Sequence, residues 1–116
     1  MPVRSLSSSV LTWPDRDTVV TALRQWALQV PDGRPDVSRI GYAGSYARGD
    51  WGVGSDLDVV IVLRATDLPF ERRSAAWDAT ALPVPTDVLV YTEAEWDALR
   101  TEGRSLTREV IWLEPA

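Results

Sequence analysis

Two aspartates, Asp56 and Asp58, stand two residues apart at the head of an apolar run, Val59-Val60-Ile61-Val62-Leu63. If that run is a strand, both carboxylates share one face, with their Cα atoms roughly 6.6 Å apart. Like charges so close repel one another unless a cation lies between them. Mg²⁺ suits such a pair, since it takes oxygen ligands, keeps several waters and shares its coordination with phosphates. Two such ions, about 3.5–4 Å apart, would hold the attacking and leaving oxygens of an in-line displacement.

Ten residues separate the aspartates from Gly44-Ser45, which opens the stretch Gly44-Ser45-Tyr46-Ala47-Arg48-Gly49. Gly44 ends a short apolar segment, Ser38 to Ala43, that reads as a strand. A glycine there permits a positive φ and a close approach of phosphate to the main chain. Ser45 then starts a helical turn, whose exposed N–H groups and serine hydroxyl suit an anion. Arg48, one turn on, has a planar fork that matches a triphosphate.

A third carboxylate, Asp87, opens the run Asp87-Val88-Leu89-Val90-Tyr91, which reads as another strand. Between the two runs, Pro69 to Leu82 is expected to form a helix with Pro69 near its start. Strand, helix and strand in about 30 residues is the size of a crossover unit. Parallel neighbouring strands would bring Asp56, Asp58 and Asp87 to one edge. An antiparallel first strand would deliver Gly44 to the same edge. Taken singly, an Asp-x-Asp is usually a solvated strand end and a Gly-Ser usually a loop; the combination is specific.

Together these residues resemble the signature of the minimal nucleotidyltransferases, in the superfamily of DNA polymerase β. The resemblance spans nearly the whole chain and is most specific over residues 44 to 63 and at Asp87. It implies an α/β fold (α+β type) with a small mixed β-sheet flanked by helices, in the order α-β-α-β-α-β-α. It implies that Gly44, Ser45 and Arg48 bind a nucleoside triphosphate. It also implies that Asp56, Asp58 and Asp87 are catalytic and bind Mg²⁺, two ions being expected. Many family members of this size resemble antitoxins that transfer AMP from ATP to a tyrosine of a HEPN-domain ribonuclease toxin. A small-molecule acceptor of the aminoglycoside type, with a dimer or second subunit completing the site, and a non-catalytic binding antitoxin are the alternatives.

The 116 residues suit one domain, residues 1-116, with little room for a second, acceptor-binding domain. Folding at that size buries roughly two-thirds of the chain's surface. The net charge of −5 argues against broad nucleic-acid binding, which needs a basic surface. The chain has no histidine and no cysteine, which excludes histidine general bases, disulfides, thiol catalysis and thiolate zinc sites. Both absences are compatible with the cytoplasm, the expected location. No apolar stretch reaches the roughly 18 residues of a membrane span, and Ser5 to Ser9 reads as a lead-in or short edge strand.

The remaining elements follow from periodicity. Thr12 to Val30 reads as a first helix capped by Thr12 or Asp15, with Val19, Val20, Leu23, Ala27 and Val30 on one face. Pro31 to Pro35 forms a loop. Thr92-Glu93-Ala94-Glu95 is a capping box that starts a helix carrying Trp96 and Leu99 and ending at Gly103. Ser105 to Leu113 is either helix or strand. Trp26, Trp77 and Trp96 read as packing residues. Trp51, among Gly49, Gly52 and Gly54, either lines a nucleotide pocket or packs on its own domain. Arg72 and Arg73 are expected on a solvated helix face.

Overall fold

A computed structural model describes residues 13–30 and 36–113. Helix α1 spans Arg16–Gln29, and Asp15 caps it by accepting the Thr18 N–H at 2.8 Å. That bond holds the Asp15 carboxyl below its ordinary value. The alternative cap, Thr12, lies outside the described residues, as do Ser5 to Ser9 and the Pro31 to Pro35 loop. Val19, Val20 and Leu23 form the buried face of α1, and their spacing puts them on one side of a 3.6-residue period.

Among the described residues four strands form one mixed sheet in the order β3-β2-β1-β4: β1 Val37–Ala43, β2 Leu57–Leu63, β3 Thr86–Thr92 and β4 Ile111–Trp112. β1 is antiparallel to β2 and to β4, whereas β2 and β3 are parallel. The apolar run of β2 is buried almost throughout because both sheet faces are covered. On one face Val59 and Ile61 join Val19, Leu23, Tyr42 and Tyr46. On the other, Val60 and Val62 pack with Ala43 and Trp96. A side chain on β2 alternates between these two cores, so Asp58, in phase with Val60 and Val62, belongs to the second face at its strand's open end.

The segment expected as a single helix over Pro69 to Leu82 is shorter. Helix α2 is the turn Ser45–Arg48; helix α3 covers only Phe70–Arg73, and a 3₁₀ turn, Ser74–Ala76, follows it. Trp77 is extended, at φ −119° and ψ 123°. The Asp78 carboxylate accepts both the N–H and the hydroxyl of Thr80, at 3.0 and 2.6 Å. Such local capture of backbone donors competes with helix propagation. Trp26 donates its indole N–H to the Asp78 carbonyl at 2.9 Å, which ties this irregular stretch to α1. Arg73, expected in solvent, is buried, at 6 % exposure.

Helix α4, Glu93–Thr101, begins at the capping box, with both reciprocal bonds present between Thr92 and Glu95. The C-terminal segment contains both of its alternatives: helix α5, Ser105–Glu109, and then β4. Gly41 lets β4 lie close, because a Cβ there would stand 2.6 Å from the Ile111 carbonyl oxygen. The expected order therefore gains a short helix and an edge strand at its end.

Candidate active site

The strand register collects the acidic residues. Ala43 pairs with Asp58 across β1 and β2, and Asp58 pairs with Asp87 across β2 and β3. Gly44 follows Ala43 directly, so the turn and two of the three aspartates meet at one edge of the sheet. Asp56 lies beside them but not on the strand, which begins at Leu57. The reason is local. Ser55 and Gly52 close a turn through two hydrogen bonds, at 2.8 and 3.0 Å, and the Leu57 N–H then bonds to the Pro85 carbonyl at 2.8 Å. Asp56 and Asp87 are exposed, while Asp58 is half-buried.

Gly44 sits at φ 73° and ψ −151°, a conformation open to glycine almost alone. The Asp58 carboxylate occupies the space that a Cβ at Gly44 would take. Main-chain bonds from Ala47 and Arg48 to the Gly44 carbonyl, at 3.0 and 2.9 Å, wind α2 behind it. α2 is anchored to α1 and its lead-in. Tyr46 is fully buried and its hydroxyl accepts the Trp13 indole N–H at 3.0 Å. Arg16 donates to the Tyr46 carbonyl at 2.9 Å and to the Tyr42 hydroxyl at 2.6 Å. Trp51 stacks on Tyr46 with centroids 5.7 Å apart and planes 8° from parallel. It is therefore packed on its own domain.

Glu109 is the site residue that the sequence did not announce. Its Oε1 accepts the Gly44 N–H at 2.9 Å and lies 3.4 Å from Arg48 Nη1. Arg48 Nε donates to the Asp50 carboxylate at 3.2 Å. No spacing rule links Glu109 to a turn 65 residues earlier, and its segment was ambiguous between helix and strand.

Among the described residues negative charge is in excess at this edge. Burial raises the Asp58 carboxyl above its ordinary value, and the charges of Asp87, Asp56 and Glu109 push it further, with Arg48 alone opposing.

The model of the nucleotidyltransferase domain family matches residues 24–111. The chain belongs to this family. A solved structure of a candidate nucleotidyltransferase from Sulfolobus solfataricus superposes with a TM-score of 0.64 at 18 % identity, over 84 % of this chain and 80 % of that one. That likeness establishes the fold. Comparison with curated proteins finds no significant match. The mixed sheet with flanking helices is thus that of a nucleotidyltransferase, and membership in the family supports nucleotidyl transfer as the activity.

Domains of this kind generally work on nucleoside triphosphates with divalent metal, and the donors here fit such an ion. They are carboxylate oxygens, which hard cations prefer, and among the described residues Arg48 alone offsets the charge at Asp58. Among the described residues no three acidic side chains already stand close enough to close around one ion. Beside Asp58 and Asp87, on the side away from Gly44, a cleft of about 840 Å³ opens along β3. Phe70, Trp77, Leu82 and Val84 give it an apolar wall. Among the described residues no helix is long and apolar enough to cross a membrane.

Proposed function

We propose that the chain transfers AMP from ATP to a tyrosine hydroxyl of a partner protein, a HEPN-domain toxin, and thereby acts as its antitoxin. The observation that carries the transfer chemistry is the meeting of the Gly44 turn, Asp58 and Asp87 at one sheet edge, in a nucleotidyltransferase domain. In this reading the turn at Gly44, with Ser45 and Arg48, holds the triphosphate. Asp56, Asp58 and Asp87 hold Mg²⁺, which supplies neutralisation of the charge on the phosphates and the leaving group. The tyrosine oxygen forms a bond to the α-phosphorus as the bond from that phosphorus to the α–β bridging oxygen breaks. Pyrophosphate departs with that oxygen, and the phenolic proton passes to the Asp87 carboxylate. Positioning and charge account for most of such a reaction.

The cleft supports an acceptor arriving from the β3 side, opposite the triphosphate. Its aromatic and aliphatic wall suits a tyrosine ring with apolar neighbours in the partner chain. Its volume also lies in the range of small-molecule pockets, which favours a small-molecule hydroxyl acceptor as the second reading. Co-expression with the product of the neighbouring gene, followed by intact-mass measurement of that product, tests the protein-acceptor reading. The wild type adds AMP and the double variant Asp56→Asn/Asp58→Asn adds none. No gain in mass with wild type, together with equal protection by the double variant, would leave a binding antitoxin without catalysis.

A further inference from the structure

We infer that Glu109 is a positioning residue of the nucleotide site, which holds both ends of the Gly44–Arg48 turn with one carboxylate. The inference rests on the nucleotidyl-transfer reading. β1 and β4 pair Gly41 with Trp112 and Tyr42 with Ile111. Continued two steps, that register sets Gly44 opposite Glu109. Glu109 is the last residue of α5, which closes with the Val110 N–H bonded to the Leu106 carbonyl at 3.2 Å. The β1–β4 pairing stops before it reaches Gly44, whose N–H takes another acceptor. The Glu109 side chain supplies it, at 2.9 Å. It does so where the backbone adopts its glycine-only conformation, with the Asp58 carboxylate filling the space a Cβ would take.

The same oxygen also faces Arg48, at 3.4 Å. One carboxylate, with its side chain 24 % exposed, thus spans the first and last residues of the turn. This division of labour assigns the Gly44 N–H to the scaffold and leaves Ser45 and the half-exposed Arg48 to meet phosphate. A competing account makes Glu109 a resident anion in the place of a phosphate, displaced when nucleotide enters. The two accounts predict opposite signs.

Glutamine at position 109 keeps an oxygen acceptor but removes the charge, whereas alanine removes both. Calorimetry with a non-hydrolysable ATP analogue and Mg²⁺, and hydrogen exchange of the Gly44 amide by NMR, are measured on wild type, Glu109→Gln and Glu109→Ala. Positioning predicts about tenfold weaker binding and at least about tenfold faster Gly44 exchange in Glu109→Ala, with Glu109→Gln within roughly threefold of wild type in both. In turnover the loss falls on the nucleotide KM rather than kcat. Tighter binding in both variants, or wild-type binding and exchange in Glu109→Ala, overturns the inference. A wild type that binds no analogue overturns the nucleotidyl-transfer reading itself, and the inference with it.

Discussion

Arg73 and Arg48 both reach a glutamate from a different element, yet one is locked in place and the other loosely held. Arg73 is buried and makes a bidentate pair with Glu95, at 2.6 and 3.0 Å. Its remaining donors go to the Leu68 and Val90 carbonyls, at 2.8 and 3.1 Å. Glu95 in turn accepts the Thr92 N–H at 2.8 Å as part of the helix cap. Arg48 is half-exposed, its contacts to Glu109 are 3.4 and 3.5 Å, and its second partner, Asp50, lies in solvent. A buried guanidinium that makes four hydrogen bonds in good geometry belongs to the scaffold. One held by long, solvent-screened contacts beside an excess of carboxylates retains capacity for an incoming anion. The contrast separates the end of the sheet that stabilises the fold from the end that carries chemistry.

The largest effect should come from the chemical end. Asp58→Asn is expected to lower transfer about a thousandfold or more, the scale of several kcal/mol of lost charge stabilisation, while the circular dichroism stays native. Near-wild-type turnover in this variant would erase the proposed distinction between the two ends.

Exchanging the roles of the arginines sharpens the comparison next. Arg73→Met should cost about 3 kcal/mol of stability in urea titration, because carbonyls and a carboxylate lose their partner. Its nucleotide KM should remain that of wild type at permissive temperature. Arg48→Met should cost less than about 0.5 kcal/mol of stability but weaken triphosphate binding about tenfold or more. Equal stability losses in the two variants would mean that Arg48 too is structural.

Ser45→Ala tests the donor left beside Arg48. Its expected loss is about 1.5–3 kcal/mol of triphosphate affinity, the value of a hydrogen bond to a charged group, with thermal stability unchanged. Unaltered affinity would shift the phosphate role to Arg48 alone.

The smallest effect is a pH dependence of opposite sign at the two ends. Asp58 has a raised carboxyl, chiefly by burial, so the folded state favours its protonated form. Asp58→Asn should therefore stabilise the metal-free protein at neutral pH, and the gain should disappear as pH falls through the raised value towards the ordinary 3.8. Glu95 is lowered, first by its hydrogen bond from Arg73. Its contribution is present above the ordinary 4.5 and fades as pH falls below it, so the destabilisation caused by Glu95→Gln should shrink in acid. Melting temperatures of both variants from pH 7 to pH 3 read the two trends. Parallel trends would contradict the assignment of one end to strain and the other to support.

Much of this was legible before folding was considered. Gly44-Ser45, Asp56-x-Asp58 and the apolar run after them carry their meaning in residue type and spacing, because a strand period and a glycine-only turn are local properties. The capping box at Thr92 and Glu95 was legible for the same reason. The crossover helix over Pro69 to Leu82 was overestimated: helical order ends by Ala76 and Trp77 is extended, and beyond it Asp78 takes the Thr80 donors in a local turn that apolar spacing does not reveal. Arg73 read as solvated because its neighbours are polar, and only the return of α4 over β3 buries it against Glu95. Glu109 had no local signal at all. The sequence by itself determined the acids, the turn and the strands that bear Asp58 and Asp87. The tertiary structure alone decided the pairing that sets Asp58 beside Asp87, the seat of Trp51 on Tyr46 and the tether from Glu109 to Gly44, because those contacts depend on which distant segments the shared hydrophobic core brings together.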